Sequence, residues 1–157
     1  MRIIGIDPGT GILGFGVIDY QKGKLILVDA GVIRTPVKED DATRLETIYL
    51  ELSKIIKETK PTVMSVEKLF FAQNVTTAMT VSQARGVVLL CGRQAGLDIF
   101  EYTPLQIKQS LTGYGRADKK QIQEMVKITL ELKEVPKPDD CADALAAAVT
   151  HTMVNRF

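Results

Sequence analysis

Two short apolar runs each end on an acid, and an amphipathic segment lies between them. Ile3-Ile4-Gly5-Ile6 closes on Asp7, and Val63-Met64-Ser65-Val66 closes on Glu67. Each run reads as a buried strand, Arg2 to Asp7 and Thr62 to Glu67. Between them Leu45, Ile48, Tyr49, Leu52, Ile55 and Ile56 recur at three- and four-residue spacing, with Asp40-Asp41 as a helix start signal and Lys60-Pro61 as a stop. A strand–helix–strand crossover returns the second strand parallel to the first. If the two strands are neighbours, their carboxylates lie side by side at one edge of a sheet.

The remaining segments extend that sheet. Phe15 to Tyr20 and Lys24 to Ile33 read as two more strands. Pro8-Gly9-Thr10-Gly11 and Gln21-Lys22-Gly23 carry turn chemistry, which predicts an antiparallel meander of the first three strands. Residues 74–95 read as a helix apolar over much of its circumference, one face of which is a candidate interface. A short strand from Asp98 to Tyr102, a helix from Pro104 to Leu111, a break at Gly113-Tyr114-Gly115 and a helix from Asp118 to Leu132 follow. After a loop from Val135 to Pro138, Asp139 opens an Ala-rich helix that runs to about Val154. No repeat or linker interrupts the pattern, so residues 1–157 are expected to form one domain.

A chain of 157 residues can bury a core without disulfides. Cys91 and Cys141 lack redox or zinc spacing and read as reduced core thiols. No stretch approaches the roughly 20 apolar residues needed to span a bilayer, and the N-terminal run meets an acid too soon for a secretory signal. A soluble, cytoplasmic protein with no membrane partner is the expectation. The net charge of +1 conceals a gradient. Residues 102–127 carry five basic and two acidic side chains, whereas residues 128–157 carry three basic and five acidic, with Asp139, Asp140 and Asp143 close together. An ordinary solvated surface gives similar counts, but cations for phosphates beside carboxylates for metal are also what a metal-using nuclease requires.

Two carboxylates held close together repel, and their tolerated states are a shared proton or a bound cation. Asp140 and Asp143, three apart at the start of a helix, share a face and would complete such a site; on helical geometry alone Asp139 with Asp143 serves as well. Asp7 before Pro8-Gly9 also reads as a turn residue, and the acids after Pro138 also suit a helix start electrostatically. Glu67 has no turn residue after it to account for it. Four carboxylates offer hard oxygen ligands suited to Mg²⁺ or Mn²⁺ rather than zinc. Two such ions, roughly 4 Å apart, activate water and stabilise the leaving oxygen in phosphodiester hydrolysis, with no side-chain nucleophile.

Four segments, in order and spread over essentially the whole chain, carry a resemblance. They are Gly5-Ile6-Asp7-Pro8-Gly9-Thr10-Gly11, Ser65-Val66-Glu67-Lys68-Leu69-Phe70, Gln83-Ala84-Arg85-Gly86 and Asp140-Cys141-Ala142-Asp143-Ala144-Leu145-Ala146. Together they resemble the RuvC family of Holliday junction resolvases. The resemblance implies an α/β, RNase H-like fold: a five-stranded mixed sheet, antiparallel over strands 1 to 3 and parallel over strands 1, 4 and 5, flanked by helices. It implies a homodimer that cuts two strands of a four-way DNA junction symmetrically in recombination and repair, using Mg²⁺ or Mn²⁺, two ions per site, with a branch-migration helicase complex as partner.

By motif, the catalytic and metal-binding acids fall on Asp7, Glu67, Asp140 and Asp143; some relatives carry histidine at the position of Asp140. The aromatic residue three places after the glutamate is Phe70, implied to meet an unpaired base, with core packing as its other reading. Stacking on such a ring is worth about 1–3 kcal/mol and tolerates any base. The family's DNA-contacting lysines match Lys108 and Lys119. Arg116 and Lys120 are further phosphate-contact candidates by proximity. His151, about two helical turns beyond Asp143, reads as structural.

Three rival functions compete. The opening glycine-rich segment also resembles the first phosphate loop of actin-like ATPases and sugar kinases, but those need two such domains and a second glycine-rich phosphate segment. An RNA-processing nuclease of the same superfold is disfavoured by Glu67 with Phe70 and by the distal aspartates. A catalytically dead DNA-binding module has no support, because all four acids are present.

Overall fold

A computed structural model describes residues 1–68 and 75–155 of the chain. β1 (Arg2–Asp7), β2 (Ile12–Gln21) and β3 (Lys24–Arg34) form the expected meander. Lys22 and Gly23 join β2 to β3 with φ of 50° and 80°, the left-handed pair that a two-residue hairpin turn requires. β2 begins three residues earlier than expected at Phe15: Ile12, Leu13 and Gly14 pair with Arg34, Ile33 and Val32. Glycine inside a strand weakens the local pattern, and the pairing is supplied by β3.

The crossover helix α1 (Asp41–Thr59) starts where Asp40 accepts from the Thr43 backbone N–H, and stops at Lys60 in left-handed conformation. β4 (Val63–Glu67), α2 (Val75–Gln94), β5 (Asp98–Tyr102), α3 (Pro104–Thr112), α4 (Lys119–Thr129) and α5 (Asp139–Val154) follow. α4 ends three residues short of Leu132, because Glu131 turns left-handed and the Leu132 N–H folds back onto the Lys127 carbonyl at 2.9 Å. The strand order is β3-β2-β1-β4-β5, with β4 parallel to both β1 and β5. This five-stranded mixed sheet flanked by helices is the RNase H-like arrangement. Among the described residues, no helix is long and apolar enough to cross a membrane.

Alternation along the strands sorts side chains between two cores. Ile4, Ile6, Met64 and Val66 pack with Ile48 and Leu52 of α1 and Ala84 and Val88 of α2. Ile3 and Val63 face the other side, with Ile107 of α3, Val126 of α4 and Leu145 of α5. Gly5 and Ser65 share that second face, and so do Asp7 and Glu67, each two residues further along.

On this face α5 lies directly against strand backbone. A Cβ at Gly5 would collide with the Ala144 carbonyl and the Ala148 nitrogen, and one at Gly14 with the Asp140 carbonyl. Ala142, Ala144, Ala146, Ala147 and Ala148 are all buried, so small side chains on the helix meet missing side chains on the sheet. The Ser65 hydroxyl, itself buried, donates to the Ala147 carbonyl at 2.6 Å and ties β4 to the same helix.

Gly5→Ala or Gly14→Ala is expected to destabilise the protein by an amount at or above the upper end of roughly 1–3 kcal/mol, because helix and sheet must part. Urea unfolding reads this as a lowered midpoint, and a wild-type midpoint would show that α5 does not bear on those positions.

Candidate active site

The register places the acids. Ile6 is opposite Val66, so Asp7 and Glu67 close adjacent parallel strands at one rim of the sheet, on the α5 face. Gly14, the antiparallel partner of Asp7, is the glycine that the Asp140 carbonyl overlies. The first turn of α5 is therefore seated beside Asp7.

The electrostatics report the crowding. Burial first, then the charges of Glu67, Asp143 and Asp140, push Asp7 up to about 7, against an opposing pull from Lys119. Burial and Asp143 likewise push Glu67 up to about 7, against Lys108 and Lys119. Asp143 is raised by burial, an effect tempered by its hydrogen bond to Lys119. Asp139 behaves differently: Lys119 holds it below the usual carboxylate range, and it is exposed. Asp140, not Asp139, is among the charges felt by Asp7, which separates the two candidates that helical geometry left equal.

Lys119 is the cation of this cluster. Its Nζ lies 3.1 Å from Asp143 Oδ2 and 3.2 Å from Asp139 Oδ2. Burial works against its charge, but the two carboxylates more than compensate and its pKa is raised. Lys119 is the first residue of α4, whose start is set by a reciprocal capping pair, Asp118 with Gln121; α3, which carries Lys108, starts with the matching pair Thr103 and Gln106. Both lysines line a cleft of about 300 Å³ with Glu67, Pro104, Ile122 and Asp143. Arg116 and Lys120 are exposed and lie outside that lining. Phe70 falls outside the described residues.

A hard divalent cation suits the donor set, which is oxygen only, partly buried and mutually repelling. Among the described residues no three Asp, Glu, His or Cys side chains form a ready-made metal-holding group. The positive charge within the cluster is the Lys119 ammonium, held where carboxylates would otherwise face one another uncompensated.

The turn that follows Asp7 is secured from a distance. Thr35 donates its N–H to the Gly11 carbonyl at 3.1 Å and its hydroxyl to the Thr10 carbonyl at 2.6 Å, and Arg44 Nε donates to the Thr35 hydroxyl at 3.0 Å. Sequence reasoning missed both residues, and no local pattern marks them, because the contacts join segments far apart in the chain. Two other expectations hold. Cys91 and Cys141 are free and buried. His151 is buried, its Nδ1 2.9 Å from the Tyr102 hydroxyl and its ring against Phe100, so it is built into the core two turns from the acids.

Comparison with known proteins follows the same lines. Residues 3–151 match the family model described as crossover junction endodeoxyribonuclease RuvC. A protein of that name from Brevibacillus brevis is 54% identical over 157 residues, covering 100% of this chain and 95% of the relative. Another, from Heliobacterium modesticaldum, is 54% identical over 95% of this chain and 92% of the relative. Among solved structures, Thermus thermophilus RuvC in complex with Holliday junction substrate superposes with a TM-score of 0.93 at 36% identity, covering 98% of this chain and 94% of that one. The yeast mitochondrial Holliday junction resolvase Ydc2, at 14% identity and a TM-score of 0.65, shares the fold.

The raised carboxyls set a sign for stability against pH. A carboxyl whose folded pKa lies above its unfolded value of about 4 contributes stability at low pH that is lost as pH rises through the folded pKa, here about 7. In chelator, Asp7→Asn is therefore expected to melt at least roughly 2–4 °C above wild type at pH 8 and near wild type at pH 4. Calorimetry at the two pH values checks it; a lower Tm at pH 8 would contradict the crowding.

Proposed function

The chain belongs to the RuvC family of crossover junction endodeoxyribonucleases, and we propose that it cuts four-way DNA junctions by hydrolysis at the acid-lined rim of β1 and β4. The observation that carries this reading is that Glu67 and Asp143 line one cleft with two lysines while Asp7 feels the charges of Glu67, Asp143 and Asp140, acids drawn from three separate elements. Among the described residues no serine, cysteine or histidine shares that lining, which suits water as the attacking group.

The four acids would hold Mg²⁺ or Mn²⁺, as two ions, which when bound supply an activated water and a stabilised leaving oxygen. The protein's own residues prepare that chemistry. Asp7 and Glu67, pushed up to about 7 by burial and by the neighbouring carboxylates, would become full anions when a cation compensates them. Lys119 fixes the orientation of Asp143 and, with Lys108, presents positive charge toward a phosphate in the cleft. The alanine-packed α5 closes the rear of the site against water. Arg116 and Lys120, exposed beyond the cleft, extend the phosphate-binding surface, and Phe70 is assigned to an unpaired base at the crossover.

A homodimer suits a two-fold junction, each subunit reaching one of two equivalent strands, with cuts made symmetrically. α2 supports this assignment. Met79 and Leu90 are 62% and 50% exposed, and with Gln83 and Gly86 they form one stripe at spacings of four, three and four. Gly86 would find nothing within 4 Å of an added Cβ, so its intrachain packing does not require glycine, whereas a second helix approaching closely does. A cytoplasmic setting and delivery of junctions by a branch-migration helicase complex complete the reading.

With Mg²⁺, the protein is expected to convert a synthetic four-way junction into nicked duplexes without consuming ATP. Asp7→Asn should lose cleavage while retaining junction affinity within a few-fold; lost affinity in a folded variant would assign Asp7 to substrate binding instead. Sedimentation of Leu90→Glu should shift the protein from dimer toward monomer, and an unchanged dimer would place the interface elsewhere.

A further inference from the structure

Arg44 is a cation over the turn that follows Asp7, and no carboxylate among the described residues pairs with it. It lies in the first turns of α1, four residues after Asp40 and three after Asp41, spacings at which an ion pair is the ordinary outcome. That pair does not form. The Asp40 carboxylate accepts instead from the Thr43 N–H at 3.0 Å and the Thr43 hydroxyl at 2.9 Å, and none of the ion pairs among the described residues includes Arg44.

The guanidinium is turned the other way, onto the turn that follows Asp7. One edge is pinned: Nε donates to the Thr35 hydroxyl, which in turn donates to the Thr10 carbonyl. Nη2 stands 3.3 Å from where a Cβ would be at Gly11, so the fork lies over a backbone stripped of side chain. The two Nη groups have no protein acceptor among the described residues. A half-buried, pre-oriented guanidinium with open donors is matched to the paired oxygens of a phosphodiester, which it can hold bidentately.

Its position gives the contact a meaning. Lys108 and Lys119 flank the acids on the side of β5 and α3. Arg44 lies over the turn between β1 and β2, and in the strand order β3-β2-β1-β4-β5 that turn is on the opposite side of β4 from β5. We propose that Arg44 binds a phosphate of the cut strand, so that the strand crosses the rim from the lysines, over the acids, to the guanidinium. The inference rests on the junction-cutting reading above. It also gives Thr35 a role: by pinning Nε, that hydroxyl couples the phosphate-binding fork to the turn that follows Asp7.

The test is binding of a fluorescent four-way junction in chelator, by anisotropy, between about 50 and 200 mM salt. Arg44→Gln should weaken binding about tenfold and make the slope of log affinity against log salt shallower by about 0.9, one counterion fewer. Arg44→Lys keeps the charge but not the fork, and should retain the slope while losing affinity severalfold. Wild-type affinity and slope in Arg44→Gln would overturn the proposal; so would equal weakening of the Gln and Lys variants at wild-type slope, the signature of a structural role. Should Arg44→Gln fail to fold, Arg44→Lys and Thr35→Val carry the test, and wild-type affinity in both overturns it. A wild-type protein that neither binds nor cuts junctions in preference to duplex overturns the functional reading itself, whereas selective wild-type binding unaffected by Arg44→Gln overturns only the assignment of Arg44.

Discussion

The seating of α5 on bare strand backbone is the contact from which the rest of the site follows. Helices normally ride above a sheet on a layer of side chains. Here Gly5 and Gly14 remove that layer, and buried alanines on the helix answer it. The consequence is positional. Asp140 sits over the partner of Asp7, and Asp143 comes within range of both Asp7 and Glu67. With a conventional side-chain layer, the helix acids would be lifted off the rim, and three elements would not share one site.

Close seating has an electrostatic cost. Four carboxylates are gathered where burial already disfavours charge, and Asp7 and Glu67 respond by rising to about 7. Lys119 offsets part of the repulsion by bridging Asp143 and the outlying Asp139. The alanine-lined contact is what sustains an arrangement that the charges alone would open, and stored repulsion of this kind is released when a cation or a proton arrives. Stability and the site's chemistry thus pull in opposite directions at the same rim.

Around the acids, the supporting contacts come from every part of the chain. Ser65 reaches the Ala147 carbonyl, Thr35 and Arg44 reach the turn after Asp7, and two capping boxes aim the helices that carry Lys108 and Lys119. Of the cations so placed, Lys119 joins the carboxylates, Lys108 lines the same cleft and Arg44 lies over the turn after Asp7. A polyanionic strand laid across the rim would meet positive, negative and positive charge in turn, which is the order that grips phosphates on both flanks and leaves the centre for hydrolysis.

Much of this was legible before folding. Strand alternation is a period of two, so the parity of Ile3, Gly5 and Asp7 against Val63, Ser65 and Glu67 is written in the chain, and an intervening helix makes those strands parallel. The turns, caps and element order follow from local chemistry in the same way, with errors confined to ends such as Ile12 and Thr129, where a neighbour or a left-handed residue set the boundary. Local rules could not choose between Asp139 and Asp140, since both share a helical face with Asp143. The rotation of α5 about its own axis brings the charge of Asp140, not that of Asp139, to bear on Asp7, and that rotation is set by glycines on other strands. Nor could they anticipate that Lys119 pairs within the acid cluster or that Arg44 turns from Asp40 toward Gly11. Periodicity specifies which side of an element a residue occupies; which groups meet across elements depends on how closely those elements approach, and only the packed tertiary structure determines that.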